Sequence, residues 1–301
     1  QLWEGIMTST DGSGNVSATF FKGHGLGNDY LVFESGDEWA LGTDAIVAIC
    51  DRWRGPGSDG IVLLEGRGRD PFSLRMFNPD GGEFERSGNG LRILAAYLAG
   101  EGLVGDEPFD VSVGGDGIPL HVRGRHPGGL YDISVEMGHA AVGGGAVGLD
   151  VGALDVGGRI DLGTAGKPLL NLVSVGNPHA GVFPDVWQPE TMAEMGPLIA
   201  THSAFERGTN VQLARVLGEG LVEAIIWERG VGPTSASGTS ACAVAVATVE
   251  SGRANPGVFE VRMEGGSVEV SVSAELAVTL RGPVQEVYKG SLTRGFLDSL
   301  A

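Results

Sequence analysis

The segment Glu228 to Glu250 reads ERGVGPTSASGTSACAVAVATVE, and its second part, Ala241 to Val249, is mostly apolar and free of Gly and Pro. Such a run after a Gly- and Ser-rich loop predicts a short buried helix that begins at Ser237-Gly238-Thr239-Ser240. A Ser or Thr at this junction can cap the helix. The first N–H groups of a helix have no partner within it, so together with the helix dipole they attract an anion such as a carboxylate.

The same pattern occurs in the first half of the chain, where Ser87-Gly88-Asn89-Gly90 precedes the apolar run Ile93 to Ala99. Three motifs recur in the same order at offsets of 149, 151 and 150 residues: Gly27-Asn28-Asp29 with Gly176-Asn177-Pro178, Gly57-Ser58-Asp59 with Gly208-Thr209-Asn210, and Ser87-Gly88-Asn89-Gly90 with Ser237-Gly238-Thr239-Ser240. Chance matches in a Gly-rich chain are the alternative, but the constant offset indicates two homologous halves. Two such halves facing each other bring both helix starts to one interdomain cleft.

Composition limits the possible partners and the compartment. The chain has 301 residues, 52 of them Gly, and a net charge of −18, which argues against nucleic acid and anionic membranes as partners. Its two cysteines, Cys50 and Cys242, are too few for a disulfide framework and lack zinc-site spacing. The beginning does not read as a signal peptide, and no apolar run is long enough to span a membrane. We expect a cytoplasmic protein with an N-terminal extension over residues 1–17.

Seven motifs in order resemble those of the diaminopimelate epimerases, from about Phe20 to Leu292. They are His24-Gly-Leu-Gly-Asn28-Asp29, Asn78-Pro-Asp-Gly-Gly-Glu83, Ser87-Gly-Asn-Gly90, Gly176-Asn-Pro-His179, Gly208-Thr-Asn210, Glu228-Arg-Gly-Val-Gly232 and Ser237-Gly-Thr239. The resemblance implies an α/β fold of two pseudo-symmetric domains, each a strand-rich, barrel-like sheet wrapped around a central helix. The expected domains are residues 18–133 with a returning strand at about 280–292, and residues 134–279. Short strands with Gly-rich turns are expected over most of residues 109–175.

The resemblance also implies a reaction, the conversion of LL- to meso-diaminopimelate in the supply of lysine and peptidoglycan precursors, without metal, pyridoxal phosphate or nucleotide. In that family two cysteines exchange the α-proton from opposite faces of the substrate. The matching positions here are Ser87 and Ser237. A serine hydroxyl is a far weaker acid than a thiol, whose pKa is about 8.5, so the two-thiol mechanism cannot operate as it stands. Cys242 lies five residues past Ser237, where packing is its expected role, and Cys50 is expected in the core.

The remaining site residues are intact. By resemblance the substrate-binding set is Asn28, Asn78, Gly88, Asn89, Asn177, Asn210, Glu228, Arg229, Gly238 and Thr239. Asparagine amides both donate and accept hydrogen bonds, an arginine can bind a carboxylate through two N–H groups, and a glutamate can pair with an ammonium. With the thiols replaced, His179 and Glu228 become the candidates for proton transfer beside Ser87 and Ser237.

Several functions remain open at this point. The leading one is a cofactor-independent amino-acid epimerase that takes a small amino acid or dicarboxylate, with a possible homodimer as the assembly. A natural serine branch could instead use one base on another small acid, as phenazine-pathway isomerases of similar fold do. The serines could be introduced substitutions in a true epimerase. A catalytically inactive amino-acid-binding module is the alternative of a different class.

Overall fold

A computed structural model describes residues 14–68, 71–84 and 86–300. Most of the predicted extension, residues 1–13, therefore lies outside the described residues. The first half contains nine strands and two helices within the described residues, in the order β1 (Asn15–Gly25), β2 (Asn28–Ser35), β3 (Trp39–Ala40), α1 (Thr43–Cys50), β4 (Ile61–Leu64), β5 (Phe72–Phe77), β6 (Glu83–Phe84), α2 (Gly88–Gly100), β7 (Phe109–Val113), β8 (Asp116–His126) and β9 (Leu130–His139).

The second half continues with a similar series. Its elements are β10 (Ala141–Val142), α3 (Gly144–Val147), β11 (Asn171–Ser174), β12 (Pro178–Val182), α4 (Met192–Ala200), β13 (Asn210–Gly218), β14 (Leu221–Glu228), β15 (Gly232–Thr234), α5 (Gly238–Glu250), β16 (Gly257–Met263), β17 (Gly266–Val272), β18 (Ala277–Ser291) and α6 (Arg294–Asp298). Residues 143–170 contain α3, two 3₁₀ turns and isolated bridges. The expectation of short strands through this segment was therefore wrong, since its many glycines close tight turns without a paired neighbour.

The strand pairings repeat between the halves. In the first half β1 is antiparallel to β2, β2 is parallel to β4, β4 is antiparallel to β5, and β5 is parallel to β7. In the second half β11, β12, β13, β14 and β16 make the same four pairings in the same order. This common topology confirms the predicted α/β fold of two pseudo-symmetric units.

The two central helices are buried on every side, and each is enclosed by the strands of its own half together with β18. All of Gly88 to Ala99 in α2 and all of Gly238 to Thr248 in α5 are buried. A helix without a polar face has to lie in a core. Both helices belong to one continuous hydrophobic cluster. As predicted, α2 begins directly after Ser87 and α5 directly after Ser237, several residues before the apolar runs that start at Ile93 and Ala241.

The last strand links the halves. β18 pairs with β17 and β9 through its first part and with β1 through its second part. The division into residues 18–133 and 134–279 stays a prediction, and its boundaries fall inside β9 and β18. β1 already starts at Asn15, where Val16 pairs with Trp39, so the strand begins three residues before the predicted domain start.

Candidate active site

The two central helices meet at their N-termini. A Cβ atom added to Gly238 would lie 3.5 Å from the Cα atom of Gly88, and Leu280 of β18 packs against both glycines so closely that a side chain at either position would displace it. The positive ends of two helix dipoles therefore converge on one point. Because both helix starts expose unpaired backbone N–H groups, the junction is suited to a carboxylate.

The first of these helix starts is capped by its serine. The Ser87 hydroxyl accepts a hydrogen bond from the Gly90 N–H at 3.0 Å and also hydrogen-bonds the buried Tyr30 hydroxyl. Burial raises the pKa of the Tyr30 phenol above its ordinary value. Ser87 and Tyr30 are thus a pair of neutral hydroxyl groups at neutral pH.

The second helix start differs, because its serine makes no cap. Ser237 occupies the N-cap position of α5 without a side-chain cap bond, and its hydroxyl hydrogen-bonds Glu228 instead. Burial raises the pKa of the Glu228 carboxyl, and the negative charge of Asp59 raises it further, while the Ser237 hydrogen bond opposes the shift. A carboxyl with a raised pKa can accept and release a proton more readily near neutral pH, as a general base requires.

His179 is fully buried and both of its ring nitrogens have partners. Gln212 Nε2 lies 2.9 Å from Nδ1, and Asn177 Oδ1 lies 2.8 Å from Nε2. An Nε2–H tautomer satisfies both contacts, with Gln212 as donor and Asn177 as acceptor. Burial, with a smaller contribution from the charge of Arg229, lowers the pKa of His179 to about 3. The imidazole is therefore neutral, and its geometry fits the positioning of Asn177 better than proton transfer.

Each helix start binds the asparagine of its own half. Asn89 Nδ2 donates to Asn28 Oδ1 at 2.8 Å, and Asn177 Nδ2 donates to Thr239 Oγ1 at 3.4 Å. Asn89 and Thr239 follow their glycines at equivalent positions of α2 and α5. The structure thus places four of the predicted substrate-binding side chains against the two helix starts in matching pairs.

The other predicted residues lie at the edges of this arrangement. Asn210 is buried, donates to the Pro178 carbonyl at 3.1 Å and accepts from the Arg229 N–H at 3.0 Å. The exposed Arg229 guanidinium donates to the Arg207 carbonyl at 2.7 Å. Asn78 is exposed in the turn after β5, where its backbone N–H donates to the Gly82 carbonyl. Its contacts do not connect it to the helix starts.

Sequence reasoning missed three residues of this site. Tyr30 contacts Ser87, Gln212 holds His179, and Asp59 accepts a hydrogen bond from Asn28 Nδ2 at 3.0 Å. The internal repeat contained a signal for two of them. Tyr30 lies 149 residues before His179, and Asp59 lies 151 residues before Asn210, which are the repeat offsets. His179 and Asn210 were both predicted as site residues.

Neither cysteine belongs to the site. Cys50 and Cys242 are free and buried, as expected of packing residues. Among the described residues no group of three or more His, Cys, Asp or Glu side chains could hold a metal ion. None of the helices in that part of the chain is long and apolar enough to cross a membrane.

Comparison with known proteins identifies the family. The diaminopimelate epimerase family model matches residues 20–142 and 171–287. A diaminopimelate epimerase of Desulforudis audaxviator is 37% identical over 91% of this chain and 99% of its own. One of Synechocystis is 34% identical over the same shares of the two chains. The chain belongs to the diaminopimelate epimerase family. It is an isomerase of the amino-acid epimerase class, and its relatives do not favour the alternatives of another isomerase or an inactive binding module.

Solved structures support the fold of this epimerase. A hydroxyproline epimerase from Agrobacterium vitis superposes with a TM-score of 0.67 at 17% identity, covering 91% of this chain and 90% of that one. The present protein has the paired helix starts and carries serine, Ser87 and Ser237, at the two positions where the family resemblance implies cysteine.

Proposed function

We propose that this epimerase acts on diaminopimelate and interconverts the LL and meso forms at one α-carbon without a cofactor. The observation that carries the proposal is the junction of α2 and α5, where two helix starts converge with a carboxyl group, Glu228, at one of them and a hydroxyl pair, Ser87 and Tyr30, at the other. Relatives named for this substrate align along nearly the whole chain. The reaction belongs to the supply of lysine and peptidoglycan precursors, and a cytoplasmic homodimer stays a prediction.

Binding of the substrate follows from the charges of the site. The backbone N–H groups at Gly88-Asn89 and Gly238-Thr239 receive the α-carboxylate between the two helix dipoles. The amides of Asn28 and Asn177 border this position through their bonds to the helix starts. Arg229, exposed at the end of β14, is available to a second carboxylate at the far end of the molecule.

Proton transfer uses the two different faces of the site. On the Ser237 face Glu228 accepts the α-proton, directly or through the Ser237 hydroxyl, and becomes a neutral carboxylic acid. The electron pair left on the α-carbon is delocalised into the α-carboxylate, which the helix starts stabilise. On the Ser87 face the hydroxyl pair supplies a proton to the carbon, and exchange with water then restores the protonation state of both sides. The reverse direction uses the same groups in the opposite order.

The proposal is tested by incubating the purified protein with LL-diaminopimelate in deuterated water. We expect loss of the α-proton signal in the NMR spectrum together with formation of the meso isomer, resolved by chiral chromatography. L-Lysine, which lacks the second carboxylate, is the control substrate and is expected to exchange much more slowly. Absence of exchange with LL-diaminopimelate, under conditions in which calorimetry shows binding, would contradict the proposed reaction.

A further inference from the structure

Arg92 is a buried cation that the proposed chemistry does not use. It lies on α2, four residues after Gly88, and is 1% exposed. Its Nη1 atom has no hydrogen-bond partner, and no ion pair among the described residues includes it. Burial lowers the pKa of the guanidinium to about 10, so it remains charged at neutral pH. The charge of Asp132 opposes this shift, but no carboxylate in the described part of the chain contacts the guanidinium. A buried charge without a contacting ion pair opposes folding, which points to a use other than stability.

The guanidinium holds both residues of the peptide at the start of α2. Nε donates to the Gly88 carbonyl at 3.2 Å, and Nη2 donates to Asn89 Oδ1. Two glycines make room for it, because a Cβ atom on Gly282 would overlap Nη1 and one on Gly25 would lie 3.1 Å from Nη2. These contacts hold the Arg92 side chain against the first turn of α2, next to the N–H groups proposed to bind the carboxylate.

Arg92 also fixes the orientation of the side-chain amides of Asn89 and Asn28. A guanidinium only donates hydrogen bonds, so the oxygen of Asn89 has to face Arg92, and its nitrogen donates to Asn28 Oδ1. The nitrogen of Asn28 then donates to Asp59 Oδ2, and an ionised carboxylate only accepts. A donor at one end and an acceptor at the other fix the orientation of both amides. Each NH₂ group therefore keeps one further N–H to offer to an anion.

The matching position in the second half carries no charge. Cys242 follows Ser237 by five residues, as Arg92 follows Ser87. The thiol is fully buried, and burial raises its pKa to about 12, so it stays neutral. The additional positive charge therefore comes from α2 alone.

We infer that Arg92 is a positioning residue for the substrate carboxylate. It fixes the Gly88-Asn89 peptide and the amide donors of Asn89 and Asn28, and its charge favours the carboxylate and the further negative charge that develops when the α-carbon loses its proton. The inference rests on the proposed function in one respect, namely that a carboxylate occupies the junction of α2 and α5.

The test compares Arg92→Met, which replaces the aliphatic stem of the side chain and removes its charge and its donors, with Cys242→Ala at the matching position. Affinity for LL-diaminopimelate is measured by calorimetry, affinity for sodium acetate by the amide shifts of Gly88, Asn89 and Gly238, and stability by thermal unfolding. We expect Arg92→Met to bind both ligands roughly tenfold to a hundredfold more weakly, with a melting temperature equal to or above that of the wild type. Cys242→Ala is expected to keep its affinity within about twofold because no charge is lost.

A purely structural role predicts the opposite pattern, a lower melting temperature with unchanged affinity of the folded protein, and this result would overturn the inference. If Arg92→Met does not fold, Arg92→Lys decides, since lysine keeps the charge but cannot bind Gly88 and Asn89 together as a planar fork. It should then bind about threefold to tenfold more weakly, and unchanged affinity is the contrary outcome. Acetate separates the two proposals. Wild-type protein that binds acetate at these amides but not diaminopimelate contradicts the proposed function alone, whereas no acetate shift contradicts the inference.

Discussion

The starts of α2 and α5 occupy equivalent places in the two halves, and their N-cap serines have similar extended backbones. Each begins with a serine and a glycine, and each hydrogen-bonds the asparagine from the first turn of its own half. Their titratable surroundings differ. Ser87 caps its helix beside a phenol and a buried guanidinium, whereas Ser237 leaves its helix uncapped and binds a carboxyl.

This contrast separates the two proposed tasks of the site, binding of the carboxylate and transfer of protons. Both halves share the glycine and the helix dipole, and the proposed carboxylate would use both of them. The side chains to which we assign proton transfer differ between the halves, a phenol beside Ser87 and a carboxyl beside Ser237. The two halves thus share the helix starts proposed to bind the carboxylate and differ in the groups proposed to transfer protons.

Replacement of Glu228 by Gln should have the largest effect. Glu228→Gln removes the proposed base, so α-proton exchange with LL-diaminopimelate should fall by about a hundredfold to ten-thousandfold, as followed by NMR in deuterated water. Glu223→Gln on the same strand, at an ion pair with Arg215, is the matched control and should retain exchange. Equal rates in both variants would place the base elsewhere.

The raised pKa of Glu228 also predicts two pH effects of known sign. The exchange rate of the wild type should rise as the pH rises through this raised value, because only the ionised carboxylate accepts a proton. A carboxyl with a raised pKa in the folded state stabilises the fold below its unfolded pKa, and this contribution is lost as the pH rises. Glu228→Gln should therefore melt at a higher temperature than the wild type at neutral pH.

The double substitution Ser87→Cys with Ser237→Cys tests whether both faces can be made equivalent. Thiols at helix N-termini have a lowered pKa and act as bases and acids more readily than hydroxyls. Exchange should rise by about tenfold or more over the wild type in the same deuterium assay. The two single variants are the controls and should differ from each other, since only Ser237 lies against Glu228. A double variant without exchange on any diamino acid would argue against diaminopimelate as the substrate.

His179 should make the second half sensitive to acid. Its pKa is about 3 in the folded state, below its usual value of about 6.5, so it stabilises the fold above the unfolded pKa and this stability is lost as the pH falls. Between pH 6.5 and pH 5 the wild type should lose about 2 kcal/mol of unfolding free energy that His179→Gln does not lose. Urea unfolding at the two pH values measures the difference, and parallel losses would show that the imidazole titrates normally.

The smallest expected effect is on stability, and it should distinguish the two N-terminal serines. Ser87→Ala removes the hydrogen bond to the Gly90 N–H and should cost about 1 kcal/mol of unfolding free energy. Ser237→Ala removes no cap bond but does remove the hydrogen bond to the buried Glu228 carboxyl, so its cost should become smaller at low pH, where that carboxyl is neutral, whereas the cost of Ser87→Ala should not. Chemical unfolding of both variants at neutral and low pH checks the comparison. An equal pH dependence of the two costs would mean that the contrast between the helix starts does not extend to stability.

Much of the fold could be predicted from local patterns. The apolar runs after Ser87 and Ser237 indicated the central helices, and the repeated Gly-Asn motifs indicated the two halves. The family motifs then selected Asn28, Asn177 and Glu228, which the structure brings to or near the helix starts. Residues 143–170 could not be predicted, because glycine turns carry no signal for whether a neighbouring strand is available to pair.

The sequence by itself determined the duplication, the family and the loss of both thiols, because these depend on residue identity and spacing along the chain. Only the tertiary structure decided what each serine does, since a hydroxyl takes whichever partner the fold brings within about 3 Å. The same reason applies to His179, whose neutrality follows from burial between Asn177 and Gln212. It also applies to Arg92, which is an ordinary helix residue in the sequence and a clamped, unpaired cation behind the proposed carboxylate site in the fold.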